Sequence, residues 1–121
     1  MPQNSRKTNP ALVALTQDLR KKSWENEAPI WRDIASRLEK PTKNRIEVNV
    51  SRVDRYAREG DVVIVPGKLL AAGAIAKKVT VAAYGFSESA RAKIKAAGGE
   101  CLTIRELVER HPKGEKVRIF G

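Results

Sequence analysis

The chain has 121 residues, with 24 Lys and Arg against 14 Asp and Glu, one His, one Cys, 41% apolar and only 5% aromatic side chains. That length holds one domain with a modest core. No run approaches the ~18 consecutive apolar residues of a membrane span, and a single Cys excludes an internal disulfide and suits a reducing compartment. The formal charge of +10 is spread evenly, 13 basic and 8 acidic residues up to Gly60 and 11 and 6 after it. A small domain this basic points to a polyanionic partner, nucleic acid before others, with a basic enzyme or a merely solubilising surface as the alternative.

The opening "MPQNSRKTNP" has no apolar core behind its charges, so no secretory signal is expected. Residues 1–8 are too polar to pack and read as an arm that orders on binding, leaving 9–121 as a single domain. Asn9-Pro10 opens a first helix, Asn as N-cap and Pro at the first helical position. Leu12, Leu15 and Leu19 follow at helical spacing, and Arg20, Lys21 and Lys22 are placed in the last turn, where cations complement the dipole. A second helix begins near Pro29 and carries Trp31, Ile34, Ala35 and Leu38. Lys40-Pro41 ends it.

From Ile46 the apolar period becomes two, with Val48 and Val50 following, so a half-buried strand is expected. Ser51-x-x-Asp54 reads as the cap of a short helical turn through Tyr56. "VVIV" at 62–65 is a strand buried on both faces, ended by Pro66-Gly67 as a turn. Val79–Ala83 reads as another buried strand. Ser87 caps a helix carrying Ala90, Ile94 and Ala97 that stops at Gly98-Gly99. Thr103-x-x-Glu106 is a capping box, Pro112 closes its helix, and Val117–Phe120 is a last strand. The predicted fold is α/β: one compact domain, two N-terminal helices, then short strands alternating with short helices around a small, mostly parallel or mixed sheet.

The Gly67-Lys68 pair invites a nucleotide reading, because a buried strand runs into it. A Walker A loop needs G-x-x-x-x-G-K-[ST], so that successive backbone N–H groups face phosphates and a hydroxyl holds magnesium. Here six residues separate Gly60 from Gly67, Leu69 replaces the hydroxyl, and Pro66 removes one donor. Nucleotide hydrolysis is disfavoured. A plain turn and a turn offering N–H groups and Lys68 to an RNA backbone remain equal readings.

No catalytic residue is identified. His111, beside Pro112, reads as dipole support, and Cys101 in "CLTI" as a buried structural thiol. No ligand pair has metal spacing, so neither metal nor cofactor is expected.

Residues 40–58, "KPTKNRIEVNVSRVDRYAR", are richer. Lys40, Lys43, Asn44 and Arg45 surround a Pro-Thr loop, and Asn49 and Ser51 share an exposed strand face. Arg52, Arg55 and Arg58 recur every three residues as a basic stripe. A solvated helix face with a polar loop is the plainer reading; together the features favour phosphate and 2′-OH contact. Aromatics do not interleave with these charges, so stacking on single strands is not expected from this segment. Trp24 and Trp31, seven residues apart, read as core or packing anchors. Lys77-Lys78 precede a strand and offer a phosphate contact or a solvated loop. Arg6 in the arm and Arg118 in the last strand complete the candidate RNA contacts.

"KTNPALVALTQDLR", "IWRDIASRLEKPTKNRIEVNVSRV", "DVVIVPGKLL", "KKVTVAAYGFSESARAKIKAAGG" and "GEKVRIFG" together resemble one family. It is the archaeal large-subunit ribosomal protein L-eighteen-e, shared with eukaryotes and related to bacterial L-fifteen. The resemblance runs from Lys7 to Gly121; K-P-x-x-x-R-x-x-V-N-V and V-V-x-V-P-G-K in combination are specific to it. It implies a compact α/β domain on a small sheet, bound to large-subunit ribosomal RNA in the cytoplasm. Neighbouring ribosomal proteins are the further partners, and catalysis, cofactor, membrane and small-molecule substrate are absent. The matched positions are Lys7, Lys40, Lys43, Arg45, Asn49, Arg52 and Lys68. Leu70-Ala71-Ala72-Gly73 departs from the glycine-richer turn of the family. A stand-alone structured-RNA chaperone and a small phosphate-handling enzyme using Gly67-Lys68 remain the alternatives.

Overall fold

The computed structural model describes residues 9–40 and 46–121. Its elements are α1 (Pro10–Asn26), α2 (Pro29–Leu38), β1 (Ile46–Asn49), α3 (Val50–Tyr56), β2 (Val62–Leu70), β3 (Thr80–Phe86), α4 (Glu88–Ala96), β4 (Glu100–Leu102), α5 (Ile104–Arg110) and β5 (Val117–Ile119). All strand pairings are parallel, in the order β1-β2-β3-β4 with β5 also on β2. The expected α/β class is the observed one. Among the described residues no helix is long and apolar enough to cross a membrane.

The caps behave as their chemistry requires. Asn9 Oδ1 accepts the Ala11 and Leu12 N–H groups at 2.9 and 3.3 Å, ahead of Pro10. Ser87 caps α4 through the Ala90 N–H at 3.1 Å. Thr103 and Glu106 form the reciprocal capping box of α5. Helix α1, however, runs to Asn26, so Arg20, Lys21 and Lys22 lie before its last turn and do not serve its C-terminal dipole. Its chain reversal comes from Glu27, a left-handed residue at φ 53°. Helix α3 also starts two residues earlier than its sequence suggested. Asn49 is the N-cap, without a side-chain capping bond, and Ser51 sits inside the helix.

A parallel sheet buried on both faces needs two apolar layers. One face carries Ile64, Ala82 and Leu102 against α1, α2 and α5, with Leu19, Trp31, Ile34, Leu38 and Leu107 filling the core. Trp31 is fully enclosed, and its Nε1–H donates to the Pro112 carbonyl at 2.8 Å. The opposite face carries Val48, Val63, Val65, Leu69 and Val81 against Val50, Val53, Ala90 and Ile94 of α3 and α4. The continuous run Val62–Val65 reflects this: alternate residues enter different cores.

The Pro-Gly turn expected after Val65 does not exist. Strand β2 passes through Pro66 and Gly67 to Leu70, with one extra residue relative to β3 between Val65 and Lys68. One edge of β2 is shared between two partners. Strand β5 pairs with Val62–Ile64, and β1 pairs with Gly67–Leu70. Pro66 occupies the gap between them, where its missing N–H breaks no ladder bond to either, the position at which a central strand tolerates proline. Gly67 is required by a close approach: a Cβ there would sit 2.0 Å from the Ile46 carbonyl oxygen.

Candidate nucleic-acid interface

The segment between β2 and β3, residues 71–79, has no regular structure yet is fixed along its length. Asn49 Oδ1 accepts the Ala72 N–H at 3.2 Å, and the Ser51 N–H donates to the Ala72 carbonyl at 3.3 Å. Asp54 Oδ1 accepts the N–H groups of Ala76 and Lys77 at 3.0 and 3.3 Å. The Ala76 N–H, then the Lys77 N–H and ammonium, hold the Asp54 carboxyl below its ordinary range against a partial desolvation cost. Lys77 Nζ returns to the end of α3, donating to the Asp54 and Ala57 carbonyls. Lys93 Nζ, from α4, donates to the Ala71 and Gly73 carbonyls at 2.7 and 2.6 Å. Lys77, a candidate phosphate contact in sequence, therefore ties this segment to α3. Asn49 likewise spends its side-chain oxygen inside the protein.

The other candidates fall into distinct places. Arg6, Lys7, Lys43, Asn44 and Arg45 lie outside the described residues. Lys40 is exposed just beyond α2, and Lys68 is exposed on β2 beside Glu47 of β1. Gly67 is buried in the ladder, and neither it nor Lys68 forms a loop with N–H groups turned outward. That removes the phosphate-cradle geometry on which a nucleotide-handling enzyme depended. Arg118 donates to the Tyr56 carbonyl at 2.9 Å and pairs with Asp61 at 3.1 Å. The Arg58 N–H at 2.9 Å leads the lowering of the Asp61 pKa, with Arg118 adding to it. Arg58 lies beyond the end of α3 at Tyr56, so the expected stripe contains only Arg52 and Arg55.

Two cations with no signal in the segment 40–58 join these arginines. Arg91 and Lys95 are exposed on α4, four residues apart, roughly 100° around the helix from buried Ala90 and Ile94 and on the flank that faces Cys101 of β4. Helices α3 and α4 cover the same sheet face and touch each other, so Arg52, Arg55, Arg91 and Lys95 belong to one layer. Lys78 lies at the α4 C-terminus, its stem 3.8 Å from where a Gly98 Cβ would stand. Arg91 rests over the Phe86 ring at 4.9 Å. The amphipathic pattern of "ESARAKIKA" carried this information, but only tertiary packing says which helix α4 stands beside.

Among the described residues, no ion pair involves α3 or α4. The other layer is laced with them. Arg20 pairs with Glu39, Lys22 with Glu25, Arg37 with Asp33, Arg105 with Asp18 and Arg110 with Glu100. The Arg110–Glu100 contact is bidentate, and this guanidinium lowers the Glu100 pKa. Between residues 46 and 99 there are nine basic and five acidic side chains; residues 10–40 and 100–121 hold eleven and nine. The net excess is thus larger between residues 46 and 99, and none of the cations of α3 and α4 has a carboxylate partner among the described residues. An unpaired, exposed cation layer is suited to a polyanion.

Comparison with known proteins agrees in kind. The family model described as "Ribosomal protein 60S L18 and 50S L18e" matches residues 3–120. A Methanococcus maripaludis protein named large ribosomal subunit protein eL18 is 54% identical over 114 residues, covering 94% of this chain and 95% of its own. Proteins of the same name from Methanoregula boonei and Archaeoglobus fulgidus are each 50% identical. The first alignment covers 99% of both chains, and the second 95% of this chain and 98% of its relative. With its parallel sheet, its unpaired α3/α4 cations and these matches along nearly its whole length, the chain belongs to the ribosomal protein 60S L18 and 50S L18e family.

Proposed function

We propose that this chain is a structural constituent of the large ribosomal subunit and grips ribosomal RNA with its α3/α4 layer. The observation that carries the reading is the unequal pairing of charge: Arg52, Arg55, Lys78, Arg91 and Lys95 have no carboxylate partner among the described residues, whereas in the opposite layer Arg20, Lys22, Arg37, Arg105 and Arg110 each have one. Such cations displace counterions from clustered phosphates and fix the geometry of converging RNA helices, without reading base edges. Lys40 and Lys68, with Arg6, Lys7, Lys43, Asn44 and Arg45 outside the described residues, extend the grip. Ser51 adds a hydroxyl beside Arg52. The role is assembly and stabilisation of the RNA fold in the cytoplasm, with neighbouring ribosomal proteins as further partners.

Binding to protein-free large-subunit RNA, measured by filter retention, tests this. With roughly 6–10 phosphate contacts, affinity falls about 10³–10⁵-fold between 50 and 200 mM salt. An affinity that barely changes over that range sinks the reading. Co-sedimentation with salt-washed large subunits, absent for unrelated structured RNAs, separates a ribosomal constituent from a general RNA chaperone.

A further inference from the structure

The layer of paired charges has an exception at the hairpin between α1 and α2. Trp24 was read as a core or packing anchor, in preference to a base-stacking residue, from its spacing to Trp31, yet it is 83% exposed, while Trp31 is 0% exposed. The difference follows from helix geometry. Leu15, Leu19 and Ser23 mark the buried side of α1, and Trp24 lies one residue past that line. Its indole borders an open groove of about 570 Å³ lined by Ser23, Glu25, Glu27, Ala28, Pro29 and Arg32. Lys21, one turn back on the same face of α1, and Arg32 are exposed and have no carboxylate partner among the described residues. Glu25 is partly answered by Lys22 at 3.8 Å, and Lys113 Nζ approaches the helix end through the Asn26 carbonyl at 3.1 Å. The lining itself holds Glu25 and Glu27 against Arg32, and the neighbouring Lys21, Lys22 and Lys113 bring the local count to four cations against two carboxylates.

We infer that Trp24 is a stacking platform for an unpaired nucleobase of ribosomal RNA, with Lys21 and Arg32 holding the flanking phosphates. This rests on the RNA-binding reading above but places a second contact on the other layer, one that uses a base face and not only the backbone. An exposed indole offers a flat apolar surface that any base can cover, and cations beside it neutralise the adjoining phosphates. A protein segment seated on Trp24 is the competing occupant. Two unpaired cations flanking the ring favour the nucleic acid.

The two tryptophans make the test direct, because Trp31 is enclosed and only Trp24 reports on the surface. The full chain is titrated with protein-free large-subunit ribosomal RNA while tryptophan emission and its quenching by acrylamide are followed. The expected result is a loss of emission and of acrylamide access as RNA saturates, absent in Trp24→Phe, whose remaining Trp31 stays silent. Trp24→Ala weakens RNA binding about tenfold, Trp24→Phe retains most of the affinity, and neither changes the salt slope. Arg32→Ala lowers that slope by about 1. If RNA binds with the full salt dependence but Trp24 stays accessible, stacking is wrong and the α3/α4 reading stands. If Trp24 is covered only when ribosomal proteins are added without RNA, the occupant is protein. If no RNA is retained at all, both readings fall.

Discussion

The layer of α1, α2 and α5 and the layer of α3 and α4 cover opposite faces of one sheet with comparable apolar cores, but they dispose of charge in opposite ways. The first spends four of its five arginines on Asp18, Asp33, Glu39 and Glu100, leaving Arg32. Exposed pairs of this kind add little to stability, a median of about 0–1 kcal/mol each. Their consequence is electrostatic: a paired guanidinium has less to offer a phosphate. The second layer keeps Arg52, Arg55, Arg91 and Lys95 unpaired and uses two lysines, Lys77 and Lys93, on backbone carbonyls. Net charge along the chain conceals this division, since both halves of the sequence carry the same excess. A lysine count therefore says little about an interface until each ammonium is traced to what it touches.

The sharpest way to break the comparison is to strip each layer in turn. Replacing Arg52, Arg55, Arg91 and Lys95 together by Ala should lower the slope of log affinity against log salt by about 3, given roughly 0.7–0.9 per phosphate contact. Replacing Arg20, Arg37, Arg105 and Arg110 by Ala should leave the slope nearly unchanged; equal slopes for the two variants would dissolve the distinction. Next in size, Gly67→Ala drives a methyl into the Ile46 carbonyl and should cost about 3 kcal/mol or more in urea unfolding. A neutral effect would mean that β1 does not hold its place on β2.

Lys77→Met tests whether that ammonium belongs to the fold or to RNA. Loss of its bonds to the Asp54 and Ala57 carbonyls should cost about 1.5–3 kcal/mol of stability. The salt slope should not move; a drop of about 1 would assign Lys77 to a phosphate instead. Thr103→Ala removes half of the α5 capping box and should cost about 1 kcal/mol in thermal unfolding, with RNA binding intact.

The smallest effect is a pH dependence. Asp54 has a folded pKa below its ordinary 3.8, so its contribution is complete above that value and is lost as pH falls through the folded pKa. Asp54→Asn should flatten the acid limb of stability below about pH 4. An unchanged limb would show that the N–H groups of Ala76 and Lys77 do not depend on the carboxylate.

Much of this molecule could be read from the sequence because the responsible interactions are local. Asn9-Pro10, Ser87 and the Thr103–Glu106 box satisfy orphan N–H groups within three residues of themselves, so their helices begin as the sequence indicates. The α/β class followed from period and punctuation, while the sheet was read only as mostly parallel or mixed. The family followed from segments quoted in order. Pro66-Gly67 was misread because a proline inside a central strand is tolerated only where the neighbouring edge has a gap. That gap comes from β5 and β1 dividing one side of β2 from opposite ends of the chain. Arg91 and Lys95 were passed over for the same reason: α4 meets α3 only through the tertiary fold.

Trp24 shows the boundary most plainly. A spacing of seven residues from Trp31 suggests one shared helix face, but Glu27 breaks the helix between them and the two rings end in different surroundings. The sequence by itself determined the starts of α1, α2, α4 and α5, the polyanionic class of partner and the α/β alternation, because these depend on composition and on hydrogen bonds and periodicities within a few residues. Only the tertiary structure decided which cations are spent on carboxylates or carbonyls and which remain free, because pairing partners such as Arg105 and Asp18 are brought together across the fold.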